Sequence, residues 1–363
     1  MSRPLSIVIL GLTLSSSWGN GHATTYRALL RGLRAEGHEV LFLERDVPWY
    51  ADSRDLPDPD FCRLAYYEAF ADLDRFKPAI RNADAVIVGS YVPDGAEVID
   101  RVAEMGPRLL CFYDIDTPVT MAALKRGEEA FLARRQMPLF DIYLSFSGGK
   151  VLDRLEREFG ARRAEALYCS VDADAYAPTG EPARWDLGYL GTYSPDRQPV
   201  LERLLIEPAR RLPEKRFVVA GAQYPADIQW PPNVERIAHL PPEAHASFYS
   251  RQRFTLNVTR ADMVAAGWSP SVRLFEAGAC AVPIISDRWE GIEEIFADGE
   301  SILLADDSGA VVRMIRQMSD EKRRAIGAAA RDRVASGHTG AVRAREFARV
   351  LREVGNALLA KAV

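Results

Sequence analysis

Short runs of branched apolar residues, each followed by a stretch with helical spacing, recur along this chain and limit what it can fold into. The first run, LSIVILGL at residues 5–12, has the composition of a strand buried on both faces. From Thr24 to Glu36 the apolar residues Tyr26, Leu29, Leu30 and Leu33 fall on one helical face, and Gly37 ends the segment. HEVLFLE (38–44) is the next strand, followed by DAVIVGS (84–90), an amphipathic stretch from Gly95 to Met105, PRLLCFYD (107–114), FDIYLSFS (140–147) and a helix around Val151 to Phe159. Strands alternating with helices predict an α/β fold with a parallel, doubly wound sheet.

A second series repeats the pattern. VDADAYAPTGEPARW (171–185) reads as a linker, after which DLGYLGTY (186–193) gives a strand and a glycine turn. A helix through Leu201, Leu204 and Leu205 follows, then the strands KRFVVAG, FTLNVT, AVPIISD and SILLA. The 363 residues therefore divide into a Rossmann-like domain at 1–172, a linker at 173–185, a second Rossmann-like domain at 186–340 and a last helix at 341–363 expected to pack back on the first half. Two such domains facing each other imply a cleft. The polar, proline-rich stretch from Val47 to Asp60 reads as a surface loop.

Composition narrows the function classes. No window approaches the 18 or more uninterrupted apolar residues of a membrane span, so a soluble protein is expected. With a net charge of −5 the chain lacks the basic footprint of a nucleic-acid binder. Cys62, Cys111, Cys169 and Cys280 are widely spaced, without a Cys-x-x-Cys pair, and read as buried thiols in a reducing, cytoplasmic compartment. Arg3 before the first apolar run imitates a signal peptide, but a first buried strand accounts better for the alternation that follows.

Two segments carry the chemistry. Gly19-Asn20-Gly21 suggests a dinucleotide loop, yet Thr24 stands where the third glycine belongs and about seven residues separate Leu12 from Gly19. A glycine loop at the mouth of a parallel sheet still suits a phosphate or sugar; the alternative is a plain strand-to-helix turn. The richer segment is RADMVAAGWSPSVRLFEAGACAVPIISDRWEGIEEIF (260–296). Ser269 and Pro270 form an N-cap and first-turn pair, predicting a helix from that point. Its N-terminal amides suit a diphosphate, Arg273 would neutralise it, and Glu276 follows about 10 Å further along at ~1.5 Å rise per residue, the offset of ribose hydroxyls. The alternative for Arg273 and Glu276 is an exposed ion pair at i, i+3.

SPSVRLFEAGACAVPIIS with the following WEGIEEIF resembles the donor-binding segment of two-domain GT-B glycosyltransferases, and more narrowly the CgeB-type, spore-maturation-like branch. SVDADAYAP (170–178) resembles that family's interdomain linker, GTYSPDR (191–197) its glycine turn ending in a phosphate-binding cation, and YDIDTP and SGHTGAVRA are similar to the same branch. The resemblance implies a hexosyltransferase taking a UDP-, GDP- or TDP-sugar, without a cofactor and without a metal, to a small-molecule, glycan or protein acceptor. Arg197, Arg273, Glu276, Ser271, Gly191 and Tyr193 would hold the donor, with Arg260 and Asn257 as further contacts, and Gly19, Asn20, Gly21, Trp268 and Gly291 would form the sugar and acceptor loops. Where many retaining relatives place a first glutamate this chain has Trp268, so neither the sugar nor the stereochemical outcome follows. Ala281 replaces the usual glycine before VPII.

Asp114 and Asp116 resemble a metal-binding Asp-x-Asp, but that motif belongs to a single-sheet architecture, and here the arginines and a helix N-terminus already meet the diphosphate charge. The pair is expected at the C-terminal end of a strand, with Asp116 hydrogen-bonding sugar or acceptor and acting as general base if the enzyme inverts. The alternative for one of the two is a cap for the helix begun by Thr117-Pro118. His22 is the better of two histidines for a sugar or base role, His338 the other. Trp18, Trp268 and Trp289 adjoin the predicted loops and read either as sugar-stacking faces or as core. Other readings of the whole chain are a nucleotide-sugar epimerase or hydrolase using Asp114, Asp116 and His22, and a non-catalytic sugar-nucleotide-binding protein.

Overall fold

A computed structural model describes residues 3–18 and 21–361. The chain forms two compact units, Met1–Ser170 with Gly340–Val363, and Val171–Thr339. The first is built on seven parallel strands: β1 (Ser6–Gly11), β2 (Glu39–Arg45), β3 (Arg63–Tyr67), β4 (Ala85–Gly89), β5 (Leu110–Asp114), β6 (Ile142–Ser145) and β7 (Ala164–Ala166), in the order 3-2-1-4-5-6-7. The second has six: β8 (Trp185–Leu190), β9 (Phe217–Ala220), β10 (Val234–Ile237), β11 (Gln252–Asn257), β12 (Ile284–Ser286) and β13 (Leu303–Leu304), in the order 10-9-8-11-12-13.

Both sheets are wound outward in two directions from a central first strand. In the first, β1 pairs with β2 on one side and β4 on the other, with Ile7, Val8, Ile9 and Leu10 in register with both neighbours. In the second, β8 lies between β9 and β11. The points where the winding reverses, after β1 and β4 and after β8 and β11, are where open sheets of this kind leave a crevice for ligand. The expected α/β, doubly wound class is what the chain adopts.

Helix α1 (His22–Ala35) follows β1 and buries Tyr26, Leu29, Leu30 and Leu33, starting two residues before Thr24. Helices α2 (Gly95–Glu104) and α3 (Thr117–Lys125) follow β4 and β5. In the second unit α4 (Val272–Ala279) begins three residues after the expected Ser269. Its N-cap is Ser271 by position, without a side-chain cap bond, since that hydroxyl donates to Asn257 Oδ1; the Ser269 hydroxyl donates to the Gly267 carbonyl at 2.7 Å. Leu187, Tyr189, Leu204, Leu205, Phe217, Phe254 and Ile285 lie in that unit's core.

The C-terminal helix Gly340–Lys361 packs on α1 inside the first unit, burying Ala344, Phe347, Ala348 and Leu351. Two glycines set the approach. A Cβ at Gly32 would lie 2.4 Å from the Gly340 carbonyl oxygen, and one at Gly340 would lie 2.1 Å from that of Ala28. Both meet backbone, which cannot swing aside. Gly340→Ala and Gly32→Ala are therefore each expected to destabilise the protein by roughly 1–3 kcal/mol through overpacking. Unfolding midpoints in urea check this, and wild-type midpoints for both variants would show that the two helices are not held this closely.

Candidate functional site

In the second unit the crevice after β8 and β11 is organised by one buried guanidinium. Arg273, on the first turn of α4, donates from Nε to the Leu190 carbonyl at 2.6 Å and from Nη1 to Asn257 Oδ1 at 3.0 Å and the Val258 carbonyl at 3.4 Å. It therefore joins the C-terminal ends of the two central strands to the start of the helix. Asn257 Oδ1 also accepts from the Ser271 hydroxyl at 2.8 Å, while its Nδ2 donates to Thr259 and Ser286. Gly191 makes room for this: a Cβ there would sit 2.5 Å from the Tyr189 hydroxyl and 2.9 Å from Arg273 Nη2.

Arg197 approaches from the loop after β8. Its Nη2 donates to the Thr192 carbonyl at 2.7 Å, and its Nε is buried with no hydrogen-bond partner among the described residues. Burial pulls the Arg197 pKa below the ordinary value, and the charges of Arg273 and Arg260 pull the same way. Arg260 is exposed at the N-cap of the short helix Ala261–Ala266. Arg197 thus feels two further guanidiniums at the sheet's switch point beside the N-terminus of α4, while Arg273 is kept charged by Tyr189, Tyr249 and Glu276 against its burial. Such an arrangement is costly alone and is relieved by an anion. Tyr193 stands on the same loop, its ring edge-on to Tyr224 at 5.6 Å.

Glu276 lies one turn beyond Arg273 and is only 7% exposed, so the surface ion pair considered from sequence is not formed. Its Oε2 accepts from the Tyr249 hydroxyl at 3.1 Å. Trp268 and Gly291 are brought together: a Cβ at Gly291, whose φ is +91°, would meet the Trp268 indole at 2.4 Å. Trp268 itself has φ of 43°, held by the bond from its amide to the Glu290 carbonyl at 2.7 Å. Trp268 and Trp289 are buried, and His338 stacks on Phe275 at 4.4 Å as part of the core.

In the first unit the two aspartates divide. Asp114, at the end of β5, is fully buried; it accepts from the Tyr143 hydroxyl, from Thr120 Oγ1 at 2.9 Å and from the Asp116 amide at 3.1 Å. It pins the turn into α3. Asp116 is the N-cap residue of α3 by position, but its side chain makes no cap bond; it is partly exposed and accepts from the Tyr91 hydroxyl at 3.1 Å. His22 opens α1 with its ring edge-on to Tyr91 at 5.3 Å, and burial lowers its pKa to about 4, so the imidazole is neutral at pH 7. Gly21 is the N-cap of α1; Gly19 and Asn20 lie outside the described residues.

Tyr91 is the residue that sequence reading missed. It follows β4 with φ of 63° and joins His22 to Asp116 across the winding reversal. Its position just past DAVIVGS was the available signal, since β4 is the neighbour of both β1 and β5.

Known proteins give this geometry a context. Residues 197–349 match a protein-family model described as glycosyl transferase-like. No curated protein matches the chain. Among solved structures, the chain is similar to sucrose-phosphate synthase from Thermosynechococcus elongatus, at 14% identity and TM-score 0.67, covering 97% of this chain and 100% of that one. It is similar to Anabaena HepE in complex with UDP and glucose, at 12% identity and TM-score 0.68, over 96% of this chain and 100% of the other. It also resembles the catalytic domain of starch synthase IV from Arabidopsis thaliana bound to ADP and acarbose, at 11% identity and TM-score 0.68, over 98% and 100%. The chain has the GT-B glycosyltransferase fold. Among the described residues no helix is long and apolar enough to cross a membrane.

Asp114 generates a prediction. Burial raises its pKa to about 6 from 3.8, against the pull of the Tyr143 bond, so the folded state binds a proton that the unfolded state has lost. Stability contributed by that proton is full below about pH 4 and is lost as pH rises to about 6, by a total on the order of 3 kcal/mol. Asp114→Asn keeps the shape and removes the charge. Buried His22, whose pKa is lowered to about 4, contributes in the opposite direction over the same range in both proteins, so denaturant titrations from pH 4 to 7 are expected to show the stability of the wild type relative to the variant falling by that amount; parallel curves would contradict the assignment.

Proposed function

We propose that the protein is a metal-independent glycosyltransferase that moves a sugar, a hexose by the closeness of its motifs to the CgeB-type branch, from a nucleotide diphosphate sugar to an acceptor hydroxyl. The observation that carries this reading is the guanidinium cluster. Arg273 and Arg197 hydrogen-bond to carbonyl and amide oxygens rather than to a carboxylate among the described residues; Glu276 and Asp196 act on them only through space, which leaves their N–H donors room to take a ligand at the N-terminus of α4. A diphosphate supplies the matching charge and oxygens.

In this reading Arg197, Arg273 and Ser271 hold the diphosphate, Arg260 adds charge from the rim, and Glu276 accepts hydrogen bonds from the ribose. Gly191 and Tyr193 shape the loop beside them. As the glycosidic bond of the donor breaks, negative charge grows on the leaving diphosphate, and preorganised guanidiniums stabilise it without reorganisation. They perform the charge neutralisation that a divalent cation performs elsewhere. In the first unit Asp116, steered by Tyr91, is the acceptor-side carboxylate, with neutral His22 beside it; Asp114 holds the turn. Four free cysteines, three of them buried, suit a cytoplasmic setting.

A second reading has a specific observation behind it. Trp268, buried in a left-handed backbone against Gly291, occupies the place where many retaining relatives carry a sugar-contacting glutamate. That favours a protein that binds a sugar nucleotide without transferring the sugar.

Thermal unfolding with UDP, GDP, TDP, ADP, CMP and their common sugars, with and without chelator, tests the proposal. At a hundredfold excess over Kd a ligand adds about 2.7 kcal/mol, and at ~2–4 °C per kcal/mol for a 150–250-residue domain the shift is roughly 5–10 °C. One nucleotide is expected to give such a shift, insensitive to chelator and abolished in Glu276→Ala. No shift from any nucleotide, or one that needs metal, would reject the donor site. A shift with no turnover across donors and acceptors would favour the binding protein, and sugar release or isomerisation without acceptor an epimerase or hydrolase.

A further inference from the structure

Two tryptophans of the first unit stand in solvent, Trp18 at 60% and Trp49 at 57% relative exposure. Trp18 lies on the loop after β1; Trp49 lies on the single turn Pro48–Ala51 after β2, so both stand past the C-terminal ends of adjacent strands. Single exposed hydrophobes need no explanation. These two stand on loops that the chain stitches together.

Glu44, at the end of β2 and fully buried, accepts from the amides of Leu14 at 2.7 Å and Ser15 at 2.9 Å, and from the hydroxyls of Thr13 and Ser15. The Ser15 carbonyl accepts from the amides of Asp55 and Leu56, and the Ser16 hydroxyl donates to the Ser53 carbonyl at 2.8 Å. Asp55 binds the amide and hydroxyl of Ser17, both at 2.9 Å, and takes a two-pronged ion pair from Arg27 at 2.7 and 2.8 Å. The residue before Trp18 and the segment after Trp49 are therefore fixed to each other. Loops braced in this way lose little backbone entropy when something lies across the aromatic side chains they carry.

The charge around the pair identifies the occupant. Asp52, Asp58 and Asp60 are exposed beside Asp55, whose charge Arg27 meets, and residues 3–76 contain no lysine. The neighbouring cations are already matched: Arg27 with Asp55, and Arg54 with Asp46 while stacked 4.1 Å from the Tyr66 ring centre. An acidic rim repels anionic lipid, nucleic acid and acidic glycans. Carboxylates accept hydrogen bonds only, which suits hydroxyl or ammonium donors, and the indole faces suit the C–H face of a pyranose. We propose that Trp18 and Trp49 form a docking platform for a saccharide chain that is uncharged or basic, the acceptor of the reaction. The proposal rests on the glycosyltransferase reading and names its acceptor class.

Native gel electrophoresis through dissolved polysaccharide tests it, with neutral glucan, mannan, galactan and xylan, basic glycol chitosan and acidic alginate as probes. Wild type is expected to be retarded by at least one neutral or basic polymer and not by alginate. The double variant Trp18→Ala/Trp49→Ala, altered only at exposed positions, is expected to bind at least fivefold more weakly while keeping its melting temperature. No retardation in any neutral or basic gel, equal retardation of the two proteins, or retention by alginate or by phosphatidylcholine vesicles would overturn the platform. Nucleotide-induced thermal shifts measured on both proteins report the donor reading separately: a protein that answers to a nucleotide but to no saccharide keeps the first proposal and loses this one.

Discussion

One buried guanidinium determines the form of the second unit's crevice. Arg273 lies among the ends of β8, β11 and α4 and satisfies itself on the oxygens of Leu190, Asn257 and Val258. A charge taken from water into such a place must be solvated by something fixed. The chain hydrogen-bonds the guanidinium to carbonyl and amide dipoles; burial lowers its pKa, but Tyr189, Tyr249 and the buried Glu276 carboxylate one turn on raise it, so Arg273 stays charged in place. Gly191 and Asn257 follow from that requirement: the first leaves space for the guanidinium, and the second shares its side-chain oxygen between Arg273 and Ser271.

The first unit answers the same problem with the opposite sign. Asp114 is buried at the end of β5 and is met by a phenol, a hydroxyl and an amide, so its carboxylate is dispersed among neutral donors. Next to it Asp116 keeps its side chain partly in solvent and accepts from the Tyr91 hydroxyl. Two residues apart in sequence, the aspartates have separate physical lives: one organises a turn and the other reaches partly into solvent.

The fold class was legible because buried parallel strands write themselves as apolar runs; β1 and β4 are buried along nearly their whole length. Strands β3, β7 and β10 were not foreseen. Each is an edge or near-edge piece of three to five residues with a half-exposed pattern, so its sequence lacks the run that marks its central neighbours. The start of α4 was misplaced because residue type does not separate Ser269 from Ser271, and the hydroxyls turn to Gly267 and Asn257, the second of which only the fold brings near. Arg273 and Glu276 could be singled out by spacing. That they would be buried, with Tyr249 rather than each other as the partner of Glu276, depends on β11 and the helix before it, which no local pattern reveals. Tyr91 was passed over despite its place just after β4: an aromatic after an apolar strand reads as core, and its left-handed backbone is a product of the turn it occupies.

The first unit is assembled from two stretches separated by the whole of the second, Met1–Ser170 and Gly340–Val363. The inserted stretch begins and ends side by side, since Val171 pairs with Thr339 and its amide donates to the His338 carbonyl. During synthesis, then, the seven-stranded sheet leaves the ribosome without the helix that covers α1, and the face of α1 that carries Ala28 and Gly32 waits through 169 residues of translation for that cover. The inserted unit has both ends together and can fold as soon as it emerges. The order of maturation is thereby the reverse of the order of appearance: the unit whose first residue is made first is the one completed last.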